Sequence, residues 1–142
     1  MNYLGIDWGE KRIGLAFGDA TMGVATPLEP AISPHQKKRY QQIKRVISDR
    51  NIKAIVIGYP FNMDGSIGFK AQEVDHFIKS FLEMLHLPIH RFDERLTSHY
   101  AQSFGTPKKM LTKKQTIAQR RSGKLDSQAA TIILQDFFEH PH

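Results

Sequence analysis

The chain has 142 residues, a length that fits a single domain spanning 1–142, with a core large enough to need no disulfide or structural metal. It contains no cysteine, which excludes thiol chemistry and Cys-ligated metal centres, and its longest apolar run is four residues, Ala54–Ile57, far from the roughly 20 that cross a bilayer. Twenty Lys and Arg against 14 Asp and Glu give a net charge of +6, and fourteen of those cations fall in two blocks, Lys37–Arg50 and Arg95–Lys124. Such blocks are either solvated surface or the footprint of a polyanion such as nucleic acid. No basic, apolar leader opens the chain, so the expected compartment is the cytoplasm, with no membrane partner.

In chain order, Tyr3–Trp8 reads as a strand, Gly9–Lys11 as a turn and Arg12–Gly18 as a returning strand. Val24–Thr26 is a short third strand, after which Pro27, Pro30 and Pro34 are expected to break regular structure. Tyr40, Ile43, Val46 and Ile47 recur at helical spacing. Lys53–Gly58 is a continuous apolar run, which suits a strand covered on both faces at the sheet centre. A loop over Phe61–Gly68 precedes an amphipathic helix marked by Val74, Phe77, Ile78, Phe81, Leu82 and Leu85. Ile89–Phe92 is a strand, Leu96, Tyr100 and Phe104 mark a short helix, and Lys108–Lys124 reads as a basic loop. Ala129, Ala130, Ile133, Leu134 and Phe137 mark the last helix, and the residues after it form a frayed tail. The order predicts an α/β domain with a mixed sheet, an antiparallel N-terminal hairpin joined to parallel strands, and helices on both faces.

Three acidic positions stand apart from ordinary surface carboxylates. Asp7 interrupts an apolar strand and needs either turn amides from Gly9 and Glu10 or a cation. Asp93 and Glu94 follow a strand at the end where open α/β sheets gather ligands, unless they only cap the next helix. Asp126 opens the last helix in phase with Ala129, Ala130, Ile133 and Phe137, the buried stripe, where the two alanines permit a close approach to the strands. Converging acids repel one another until a proton or a divalent cation intervenes. Oxygen-only donors point to Mg²⁺ or Mn²⁺ rather than zinc. No nucleotide-binding glycine fingerprint and no metal-type histidine pair is present.

Four ordered segments, Gly5–Ala16 (GIDWGEKRIGLA), Gly58–Gly65 (GYPFNMDG), Asp93–Ser98 (DERLTS) and Asp126–Gln135 (DSQAATIILQ), resemble the signature blocks of the YqgF family, also called RuvX. The resemblance implies a ribonuclease H-like fold and a divalent-metal nuclease acting in 5′-end maturation of pre-16S rRNA during ribosome biogenesis, a family formerly described as Holliday junction resolvases. By position it implies Asp7, Glu94 or Asp93, and Asp126 as catalytic metal ligands. Glu94 is preferred over Asp93 because it shares a face with Phe92 and has the longer reach. Related RuvC resolvases carry a further acid in the last helix, where this chain has Ala129.

The expected reaction is phosphodiester hydrolysis with one or two Mg²⁺ or Mn²⁺ ions. Lys11, Arg12, Arg95, Lys108, Lys109, Lys113 and Lys114 are the expected phosphate contacts. Phe61 and Met63 are expected to pack within their loop rather than touch a base, and Gly58 and Gly65 to permit a tight turn. The expected partners are pre-rRNA or structured DNA, with ribosomal particles as a further partner, and the chain acts as a monomer or homodimer. Two other readings compete: a resolvase of four-way DNA junctions, which needs two symmetric sites, and a non-catalytic RNA-binding ribosome-assembly factor. An actin-like ATPase shares the Asp-x-Gly hairpin but needs a second domain for which the chain has no room.

Overall fold

A computed structural model describes residues 1–96 and 127–140. Five strands form one sheet in the order β3-β2-β1-β4-β5: β1 (Asn2–Asp7), β2 (Arg12–Asp19), β3 (Val24–Ile32), β4 (Ala54–Tyr59) and β5 (Ile89–Asp93). The first three pair antiparallel, and β4 and β5 join in parallel with β1, so the sheet is mixed as predicted. β1 is the middle strand, and β4, buried throughout, lies beside it.

The strands sort their side chains by alternation. Leu4, Ile6, Leu15, Ile55 and Ile57 face a core closed by α1 (Gln36–Asp49) and α2 (Phe69–Ser80) through Ile43, Val74, Phe77 and Ile78. Ala16, Val56 and Phe92 face the opposite side, covered by α3 (Gln128–Glu139) through Ala130, Ile133, Leu134 and Phe137. The last helix comes very close to the sheet: a Cβ on Gly5 would stand 2.8 Å from Leu134 Cβ and 3.0 Å from the Ala130 carbonyl oxygen.

Two expectations are corrected. The third strand does not stop at Thr26 but continues to Ile32 through Pro27 and Pro30, with Pro27 in register with Ala16. β3 is an edge strand, so a proline nitrogen turned outward costs the sheet no hydrogen bond. The amphipathic helix ends at Ser80, and Leu82–Leu85 forms a separate 3-10 turn. Glu94–Leu96 is another such turn, and the helix expected beyond Leu96 lies outside the described residues.

Candidate active site

Asp7 ends β1, opposite Gly14 of β2 and on the α3 face of the sheet. β5 ends at Asp93, and the turn that follows returns Glu94 to that same face. Both acids therefore stand at the carboxyl ends of parallel strands, where a mixed α/β sheet opens a crevice. Gly58, in β4 between them, leaves the space that Glu94 occupies. A Cβ there would come within 2.5 Å of Glu94 Oε1 and 2.6 Å of Ile133 Cδ1. Gly58 thus belongs to extended strand and not to a turn, whereas Gly65 (φ 89°) does supply the loop's left-handed turn.

Burial first, and then the adjacent Asp7 carboxylate, push the Glu94 carboxyl up to about 7, while the Lys70 ammonium pulls in the opposite direction. The two carboxyls also share a hydrogen bond, which requires a proton on one of them. Lys70, in the first turn of α2, is a member of the site that sequence reasoning missed. Its only signal was a cation just beyond the glycine-bounded loop.

Asp93 has a different environment although it is the adjacent residue. Its carboxylate accepts hydrogen bonds from the Arg95 backbone N–H (2.9 Å) and Nε (3.1 Å) and pairs with Nη2 at 2.7 Å, which holds it below the usual carboxylate range. Arg95 in turn lies 5.2 Å over the Phe61 ring and directs Nη1 toward the Asn62 and Met63 carbonyls at 3.5 Å. The guanidinium therefore has partners within the chain and fastens the loop after β4. That loop is closed by Asn62 N–H to Ser66 O at 2.9 Å and by the Asp64 carboxylate accepting from Ser66 N–H at 2.9 Å. Phe61 packs on Tyr59 at 4.7 Å, as expected for loop packing, but Met63 is 78% exposed and so is Phe69.

Lys11 and Arg12 are exposed in the turn that leaves Asp7. Asp126, Lys108, Lys109, Lys113 and Lys114 lie outside the described residues. Ser127, the residue after Asp126, is fully buried: its hydroxyl donates to the Leu28 carbonyl at 2.6 Å and accepts from Leu15 N–H at 3.1 Å. These bonds fasten the start of α3 to β2 and β3 where their register shifts between Ile13 and Leu15. A serine just ahead of an apolar helix was the visible signal, although the Ser127 hydroxyl bonds the neighbouring strands and only its carbonyl accepts from the helix, at Thr131.

No group of three acids or histidines that could hold an ion assembles among the described residues. Asp7 and Glu94 supply two oxygen donors in contact, a donor set that suits a hard divalent cation.

The family model RuvX, described as a Holliday junction resolvase, matches residues 1–140. A protein of Opitutus terrae named "Putative pre-16S rRNA nuclease" is 41% identical over 140 residues, covering 98% of this chain and 92% of the relative. Another with the same name from Trichormus variabilis is 35% identical over 139 residues, covering 98% and 88%. Among solved structures, the Fowlpox virus resolvase in complex with Holliday junction DNA superposes with a TM-score of 0.56 at 16% identity, covering 98% of this chain and 97% of that one. T. thermophilus RuvC in complex with a Holliday junction substrate gives 0.55 at 16% identity, with 98% and 94% covered. These two likenesses show the fold, a ribonuclease H-like sheet of the resolvase type. With its family model matched along nearly its whole length and relatives at this identity, the chain belongs to the RuvX family.

Proposed function

We propose that this protein is a divalent-metal-dependent nuclease that hydrolyses phosphodiester bonds of pre-16S rRNA in the cytoplasm. The observation that carries the reading is the Asp7–Glu94 carboxyl pair at the carboxyl ends of β1 and β5, with Glu94 pushed up to about 7. Paired carboxylates at a crevice mouth are costly without a cation, and the relatives that share the chain's length carry pre-16S rRNA nuclease names. Asp7, Glu94 and Asp126 would hold Mg²⁺ or Mn²⁺, which when bound activates water and offsets charge at the scissile phosphate.

The chain's own residues have distinct parts in this reading. Gly58 keeps open the space in which Glu94 reaches Asp7. Lys70 moderates the negative charge of the pair when no ion is present. Asp93 and Arg95 fix the loop that forms one rim of the crevice, and Lys11 and Arg12 bring positive charge to the turn beside Asp7. Lys108, Lys109, Lys113 and Lys114 would follow the nucleic-acid backbone farther out.

The description of the family model favours one second reading, cleavage of four-way DNA junctions by two copies of the chain. Cleavage of a pre-rRNA leader, unpaired RNA, duplex DNA and a four-way junction, assayed side by side with Mg²⁺ and with EDTA, separates the readings. The expected result is Mg²⁺-dependent cleavage of the leader, absent in EDTA and absent from Asp7→Asn, with nucleic-acid affinity kept within a few fold. Preferential cutting of the junction would favour the resolvase. No metal-dependent cleavage of any substrate would leave an RNA-binding assembly factor.

A further inference from the structure

The first basic block of the sequence, Lys37–Arg50, builds a surface that the nuclease reading does not use. Lys37, Tyr40, Gln41 and Lys44 lie at i, i+3, i+4 and i+7 of α1 and form one stripe of that helix. The stripe faces Phe81 and Met84, and together they line a groove of about 540 Å³. Its floor is the Tyr40 ring stacked on Phe81, centroids 4.2 Å apart and planes inclined by 18°. Phe81 is buried and Met84 is 68% exposed, so apolar surface stays open beside the two ammonium groups. Among the described residues no carboxylate lines the groove, and Lys38 and Arg45 add exposed charge of the same sign on α1. The ion pairs of Asp19, Asp75 and Asp93 use cations from outside α1.

We propose that this groove binds a stretch of RNA backbone remote from the carboxylates, with Lys37 and Lys44 on two phosphates about three nucleotides apart and Tyr40 and Met84 against the sugars or bases between them. Uncompensated cations beside a half-open aromatic suit a phosphodiester strand, because phosphate and base faces alternate along it. The placement also fits one continuous strand. Lys70, in the first turn of α2, acts with its charge on Glu94, and α2 ends at Ser80 on the groove. From Lys70 to Ser80 the helix rises about 15 Å, at 1.5 Å per residue. At about 3.4 Å per phosphate of one stacked strand, that is roughly four to five nucleotides. α2 would be the track along which bound RNA passes from anchor to crevice.

The test is binding by the full chain in EDTA, which is independent of whether Asp7 and Glu94 hydrolyse anything. Wild type and the double variant Lys37→Gln/Lys44→Gln are titrated with salt against a fluorescent unpaired RNA of about 30 nucleotides, well beyond the about 4–16 that one such surface covers. Both substitutions are at exposed positions, and Asp7→Asn serves as a parallel that is expected to keep the wild-type slope. Two lost phosphate contacts, at about 0.7 each for a single strand, lower the magnitude of the log K against log salt slope by about 1.4, equivalent to roughly 25-fold weaker binding near 0.1 M salt. With Mg²⁺ present, KM for the long RNA rises and kcat at saturation stays unchanged. An unchanged slope overturns the proposal, and so does wild-type binding of poly-glutamate as tight as that of RNA at the same salt, which would assign the groove to an acidic protein. A fall in kcat at saturation overturns it as well, because it would place the groove in the chemistry.

Discussion

In the metal-free protein, stability is expected to fall as pH rises from about 4.5 to about 7 and then to level off. Glu94 has an ordinary value of 4.5 and is raised to about 7 in the fold by burial and by Asp7. A carboxyl raised by folding favours the native state in its neutral form. Its contribution is therefore complete below the unfolded value and is lost as pH climbs through the folded one. At 1.36 kcal/mol per tenfold, the span from 4.5 to about 7 is about 3 kcal/mol. For a chain of this size that is roughly 6–12 °C of melting temperature. The assay is a thermal melt in EDTA from pH 4 to 9, wild type beside Glu94→Gln, which cannot titrate but keeps the shape and a donor for Asp7. The difference between the two proteins isolates Glu94 from every other ionisable group of the chain. Added Mg²⁺ is expected to raise the wild-type melting temperature more at pH 8 than at pH 5, because protons compete with the ion. Parallel wild-type and Glu94→Gln profiles would refute the reasoning, since Glu94 would then sit in an ordinary solvated environment.

Gly58→Ala places a methyl group 2.5 Å from Glu94 Oε1 and is expected to cost about 1–3 kcal/mol and to reduce cleavage by at least tenfold, read by melting and by turnover of the same preparation. Ser127→Ala orphans the buried Leu15 N–H and is expected to lose about 1–3 kcal/mol in a urea titration. Lys70→Met removes the charge that offsets Asp7, so the rising limb of the pH–activity profile is expected to move to higher pH; an unmoved limb would mean that Lys70 does not face the crevice in solution.

The alternation of strands and helices along the chain and the faces of the helices were legible because each rests on local pattern, and Asp7 and the Asp93–Glu94 step stood out as acids at strand ends, while β1 and not the Lys53–Gly58 strand holds the sheet centre. Alternation carries Phe92 and Glu94 to one face, and helical spacing carries Val74, Phe77 and Ile78 to the core. The continuation of β3 was not legible, because Pro27 and Pro30 report only a missing donor and not whether a strand sits at an edge. The service of Gly58 was hidden for a different reason: the group it accommodates is supplied by a residue 36 positions later. Arg95 read as one more cation of a basic block, and only the fold reveals that Asp93 and the Asn62 and Met63 carbonyls already claim it.

The prolines of β3 have a consequence for assembly. A sheet can grow across two molecules only if its outer strand offers an unbroken row of donors and acceptors, and β3 lacks the donor at two of its nine residues, Pro27 and Pro30. Two copies therefore have little to gain by joining their sheets along this side, and a chance encounter there does not seed further stacking. A pair of copies that cut two strands symmetrically would have to meet through helices or through β5, the opposite margin of the sheet. On the proposed nuclease reading, the same interruption disfavours pairing along β3 between copies gathered on one nucleic acid.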